Sequence, residues 1–208
     1  MVPAALSEQW TSWASLHPTQ AIVIGGSAGA LETLRMILPA LAETTAIPVV
    51  VVLHLRPHEP TRLPALLASD CALPLRLPLD KQPCTGGVVW LAPPDFHLLV
   101  EDERVFSLAA DEPVHFSRPA IDVLFASAAD AYGPGLVAVV LAGASRDGAA
   151  GAAHVRACGG FLIVEDPATA EYPVMPAAAI AGAAPHVVTS REGIAALLAL
   201  ISAGARAC

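Results

Sequence analysis

Three observations predict an α/β fold, a doubly wound, mostly parallel sheet. Short β-rich apolar runs alternate with Ala/Leu-rich stretches of helical spacing along most of the 208 residues. The run Pro48–Leu53 is continuously apolar, as in a parallel strand covered on both faces. The run Ala21–Ile24 ends in a glycine turn that leads directly into helical periodicity.

The elements follow in order. Residues 1–20 form a lead-in segment, and residues 21–208 are expected to form one catalytic domain. After the strand at Ala21–Ile24, Leu31, Leu34, Ile37, Leu38 and Leu41 give a helix from Gly29 to about Leu41. Pro48–Leu53 is the second strand, and Thr61–Ser69 is a short helix. Around residues 73–108 the texture changes to short strand-like pieces, "LPLRLP", "GGVVWLAPPD", "FHLLVEDE" and "RVFSLA", separated by Pro, Gly and acidic turns. This region reads as a small antiparallel insertion or hairpin edge. The alternation then resumes with a helix at Pro119–Tyr132, a buried strand at Leu136–Leu141, a helix at Gly148–Cys158 and a strand at Phe161–Val164. Pro176–Ala183 and Arg191–Ala203 are closing helices, with a short strand at His186–Val188 between them.

Composition narrows the function. The chain is 55% hydrophobic, enough for one substantial core. Its net charge, 11 − 19 = −8, opposes broad attraction to nucleic acid or to an anionic membrane, and no Lys/Arg cluster offsets it. The richest apolar stretches fall short of the ~18 residues a spanning helix needs. The amino terminus lacks the positive charge of a secretory signal, so a cytoplasmic location is expected. Cys71, Cys84, Cys158 and Cys208 are scattered, without a C-x-x-C pair or a zinc-ligand histidine spacing, so neither metal nor cofactor is expected.

The stretch "AIVIGGSAGALETL" carries the functional question. Dinucleotide binding needs G-x-G-x-x-G, but from Gly25 the second and third glycine positions hold Ser27 and Ala30. The second strand ends in Leu53-His54 where an acidic ribose ligand would stand, and no Gly-Lys-Ser/Thr occurs. A nucleophile turn needs G-x-S-x-G between strand and helix, and Gly25-Gly26-Ser27-Ala28-Gly29 supplies it. The plain alternative is that Ser27 merely caps the following helix.

A serine hydroxyl needs a base, usually a histidine oriented by a carboxylate. His54 closes the run "VVVVLH", and Asp147 follows "LVAVVLAG". Ser27, His54 and Asp147 therefore all fall at or just past the carboxyl ends of expected parallel strands, the edge where α/β sheets gather catalytic groups. His54 as a core histidine and Asp147 as a helix cap are the plain alternatives, and His58 and His97 are reserve bases. The chain order Ser, His, Asp differs from the α/β-hydrolase order.

Six ordered segments carry a resemblance to a known family: "IGGSAGALETL", "VVVVLHLRPHEPTRLPALL", "VWLAPPDFHLLV", "SRPAIDVLFASAADAYG", "VVLAGASRDGAAG" and "VEDPATAEYPVMPAAAI". Together they resemble the catalytic domain of chemotaxis protein-glutamate methylesterases. The resemblance implies Ser27 as nucleophile, His54 as general base and acid, and Asp147 as orienting carboxylate. It implies oxyanion donors from the turns at Ala28 and Ala144. The implied substrate is the glutamate γ-methyl ester on the helical cytoplasmic domain of chemoreceptors, with glutamine deamidation as a companion reaction. The receptor methyltransferase is a further implied partner.

The aspartate turn, Ala142-Gly-Ala-Ser-Arg-Asp-Gly148, departs from the common Thr-Gly-Met-Gly-Asn-Asp-Gly, and Arg146 stands where it is able to compete for Asp147. Many family members carry an amino-terminal receiver domain; about 20 residues precede the first strand here, too few for one. His115 and Arg118 are candidate contacts to an acidic receptor surface, with a structural ion pair as the alternative for Arg118. An esterase or deamidase with another acyl substrate, and a catalytically weak binding module, are the competing functions.

Overall fold

Seven parallel strands form the central sheet in the order β3-β4-β2-β1-β7-β8-β9. The computed structural model describes residues 4–54 and 61–204. The strands are β1 (Ala21–Gly26), β2 (Val49–Leu53), β3 (Leu75–Arg76), β4 (Val89–Leu91), β7 (Leu136–Val140), β8 (Phe161–Glu165) and β9 (Val187–Thr189). A separate antiparallel pair is made by β5 (His97–Val100) and β6 (Phe106–Ala109). The helices are α1 (Ala4–Ala14), α2 (Ala30–Ile37), α3 (Leu63–Leu67), α4 (Ile121–Tyr132), α5 (Ala149–Ala157), α6 (Val174–Ala183) and α7 (Arg191–Gly204).

The apolar runs are buried on both faces, and their alternation splits them into two cores. Ile22, Ile24, Val49, Val51, Val137, Val139 and Ile163 face one way, toward Leu34 and Ile37 of α2 and Leu197 and Ile201 of α7. Ala21, Val23, Val50, Val52, Ala138, Val140 and Leu162 face the other way, toward Leu124 and Phe125 of α4, Val155 of α5 and Ala179 of α6. Helices on both faces are what doubly wound topology requires.

Two segments differ in detail from the sequence reading. The antiparallel region around residues 73–108 is present as β5–β6, but β3 and β4 join the parallel sheet beside β2. A three-residue apolar strand such as Val89-Trp90-Leu91 carries no alternation from which its direction could be read. The lead-in contains α1, whose Trp10 and Trp13 pack their rings 5.3 and 5.1 Å from Phe161 of β8.

The topology fixes where a site forms. From β1 the chain proceeds outward through β2, and later returns to the other side of β1 with β7. The crevice between β1 and β7 is the switch point of the sheet, where α/β proteins bind their ligands.

Candidate active site

The three predicted residues stand at the carboxyl ends of three adjacent strands. Gly26 is in register with Leu53, so Ser27 and His54 leave β1 and β2 side by side. On the other flank Ser27 N–H donates to Ala142 O at 2.9 Å, tying the nucleophile turn to the loop that follows β7.

The turn around Ser27 is not a helix cap. Helix α2 begins after Gly29, which sits at φ 80°, and no side chain caps it. Only the Ser27 carbonyl takes part, accepting from Ala30 N–H at 3.1 Å. The Ser27 hydroxyl makes no hydrogen bond with a described residue, His54 included. A bulkier residue than Gly29 would meet the loop that folds over the turn, since a β-carbon there would lie 3.0 Å from Glu171 Cβ and from Tyr172 Cδ2.

His54 is paired with Asp147. Its Nε2 lies 2.7 Å from Asp147 Oδ2, with the carboxylate fully buried and the imidazole 12% exposed. An ionised carboxylate only accepts, so Nε2 carries the proton and donates it, leaving Nδ1 as the basic nitrogen. Asp147 also accepts Ile121 N–H at 2.7 Å on Oδ2, and Asp122 N–H at 3.0 Å and Gly148 N–H at 2.9 Å on Oδ1. Burial alone would push its pKa up; the His54 bond and the amides of α4 outweigh it and hold the carboxyl below its ordinary value. The helix-cap alternative is therefore too small a role for Asp147: its two oxygens gather donors from three segments. Arg146 is exposed and makes no ion pair with it among the described residues.

The carboxylate is supported from behind. Asp122 accepts Gly151 N–H at 2.7 Å, and His115 Nε2 lies 3.4 Å from its other oxygen. Burial raises the Asp122 pKa, helped by the charge of Asp147 and opposed by the Gly151 amide.

Glu165, at the end of β8, is a site residue that sequence reasoning missed. It is 2% exposed, accepts Ala142 N–H at 2.8 Å, and accepts the Thr33 hydroxyl at 3.1 Å. Burial raises its pKa against the pull of those two donors. Next along the loop, Gly143 N–H donates to Tyr172 O, and Gly143 O accepts from Met175 N–H, both at 2.9 Å. With these anchors, the loop from Ala142 presents Ala144 at the surface, and neither Ala144 N–H nor Ala28 N–H is engaged by a described residue. The only signal for Glu165 was an acidic residue closing a buried strand.

The remaining candidates have other surroundings. His97, 2% exposed, accepts Ala120 N–H on Nδ1 and faces Glu112 O with Nε2, a structural histidine. His58 lies outside the described residues. Arg118 Nη1 donates to Ala110 O and Asp111 O at 2.7 and 2.8 Å, which braces the loop leading to α4.

Comparison with known proteins shows the family and the fold. Residues 22–198 match the sequence profile of the family described as CheB methylesterase. A Leptospira interrogans protein, provisionally named protein-glutamate methylesterase/protein-glutamine glutaminase, is 40% identical over 178 residues, covering 86% of this chain and 92% of the relative. A Thermotoga maritima protein named protein-glutamate methylesterase/protein-glutamine glutaminase is 35% identical over 151 residues, 71% of this chain but 44% of the longer relative. The crystal structure of the Thermotoga maritima CheB methylesterase catalytic domain superposes with a TM-score of 0.82 at 32% identity, covering 88% of this chain and 98% of that one.

Proposed function

This chain belongs to the CheB methylesterase family, and we propose that it is a serine hydrolase that removes γ-methyl esters from chemoreceptor glutamates, releasing methanol. Receptor glutamines are deamidated by the same steps. Residues 21–208 act as the catalytic domain, with residues 1–20 as its lead-in. The observation that carries the reading is the buried His54–Asp147 pair at the end of β2, next to the end of β1 from which Ser27 leaves.

In this reading His54 Nδ1 takes the Ser27 proton as Oγ attacks the ester carbonyl. Asp147 holds the ring and stabilises the imidazolium that forms. The free N–H groups of Ala28 and Ala144 receive the oxyanion; one such donor is worth ~10²–10³ in rate. His54 returns the proton to the departing methoxide, giving methanol and a glutamyl-Ser27 ester. Water, deprotonated by the same nitrogen, then frees the glutamate and restores Ser27. With a glutamine, the leaving group is ammonia.

The partner is the helical cytoplasmic domain of a chemoreceptor, with the receptor methyltransferase as a second candidate. A cytoplasmic location follows from that substrate; no helix among the described residues is long and apolar enough to cross a membrane. The test is methanol release from a methylated receptor fragment by the wild type and by Ser27→Ala. Release by the wild type alone supports the reading; equal release by both, or none by a folded wild type, sinks it.

A further inference from the structure

On the face of the α4–α5 pair away from the active site, Asp130, His154 and Cys158 bring one oxygen, one nitrogen and one sulfur within 4.8 Å of one another. We propose that these three side chains form a binding site for a borderline-soft divalent cation, zinc being the best match. Their spacing concealed it: His154 and Cys158 lie one helical turn apart on α5 and its cap, and Asp130 comes from the last turn of α4.

The geometry favours a cation over the two plain alternatives. A Cys–His–Asp relay needs two different imidazole nitrogens, one for the thiol and one for the carboxylate. Here the same atom, His154 Nε2, lies 2.7 Å from Asp130 Oδ1 and 3.7 Å from Cys158 Sγ. A simple ion pair accounts for the carboxylate but gives the thiol no role. Three different donor atoms within 4.8 Å of one another is an arrangement that zinc can use.

Distances agree with the metal's own radii. Zinc bonds of ~2.0–2.1 Å to nitrogen and ~2.3 Å to sulfur place those atoms ~3.5 Å apart in a tetrahedron. The observed 3.7 Å nearly matches that edge. The carboxylate oxygen needs to withdraw by ~0.6 Å to reach its own tetrahedral edge, which an exposed side chain on α4 can do.

The electrostatic setting points the same way. Asp130 lies in the last turn of α4 and Cys158 caps α5, so both helices direct their partly negative carboxyl ends here. Arg156 is engaged elsewhere, by Ala184 O and the His186 ring. Binding is a coordination step: the thiol loses its proton to solvent, the neutral imidazole donates a lone pair, the carboxylate donates another, and water fills the fourth position. The ion would clamp the far end of the helix pair whose near end, at Ile121 and Asp122, holds Asp147.

The test is titration of the metal-free full chain with cobalt(II), read by absorption. A one-to-one complex with a thiolate-to-cobalt band and visible four-coordinate bands, displaced by zinc, is expected. That band is lost in Cys158→Ser, while Ser27→Ala keeps it. Asp130→Asn, an exposed and fold-neutral change, also weakens it. Absence of the band in the wild type, or a band retained in Cys158→Ser through another cysteine, overturns the proposal.

Discussion

Replacing Asp147 by asparagine tests the site more severely than its small size suggests. Each carboxylate oxygen accepts two donors: Oδ2 from His54 Nε2 and Ile121 N–H, Oδ1 from Asp122 N–H and Gly148 N–H. An asparagine has one acceptor oxygen, so either flip turns an NH₂ group toward two donors. Facing the oxygen toward Asp122 and Gly148 forces His54 into the other tautomer, with its proton on Nδ1 and no base left for Ser27. It also leaves the buried Ile121 N–H unpaired. The opposite flip orphans both the Asp122 and the Gly148 amides, so the first is favoured. One orphaned buried group costs ~1–3 kcal/mol, which for a chain of this length lowers Tm by about 2–12 °C. The tautomer error costs ~10⁴ in kcat.

The assay pairs initial rates on a methylated receptor fragment with thermal unfolding across pH. Because the Asp147 pKa is lowered in the fold, its contribution is full above its unfolded value, about 4, and disappears as pH falls through the depressed folded value. The stability gap between Asp147→Asn and wild type therefore narrows only in acid. A variant with wild-type Tm and kcat within tenfold of wild type would refute the reasoning.

Further outcomes concern Glu165, Gly25 and Phe116. Glu165→Ala strips the acceptor from Ala142 N–H, costing ~1–3 kcal/mol and lowering kcat through the oxyanion loop, whereas Glu165→Gln keeps an acceptor and loses less; rate and Tm measured on both decide this. The raised pKa of Glu165 means its contribution is full below the unfolded value and lost as pH rises through the folded one, so unfolding curves should show Glu165→Gln gaining on wild type as pH rises above about 4. Gly25→Ala places a β-carbon 2.3 Å from Ile121 Cγ2, pushing the residue whose amide holds Asp147; overpacking of this kind costs ~1–3 kcal/mol, and both Tm and kcat should fall. If the fully exposed Phe116 beside His115 contacts the protein substrate, Phe116→Ser raises KM for the receptor fragment while leaving turnover of a small glutamyl ester unchanged.

The placement of Ser27, His54 and Asp147 at one sheet edge was legible because each lies at or beyond the carboxyl end of its own apolar run. Parallel strands bring their carboxyl ends to one edge, so "IGGS", "VVLH" and "SRDG" fall together from the sequence alone. What surrounds the triad was not legible in the same way. Asp147 is held largely by backbone amides of α4 and by Gly148, and an amide carries no mark in the sequence. Glu165 appears as one acidic residue at the end of "FLIVE", and only the fold shows that it faces inward to Ala142. The direction of β3 and β4 was hidden by their brevity. Helix α1 was obscured because its apolar side, with Trp10 and Trp13, is short and interrupted.

The central claim, that Ser27 is a nucleophile driven by the His54–Asp147 pair, is tested most directly by covalent labelling. Exposure to a fluorophosphonate, followed by peptide mass analysis, should find one modified residue, Ser27, with labelling slowed strongly in His54→Ala. Labelling at another residue, or at Ser27 at the same rate with and without His54, would contradict the account.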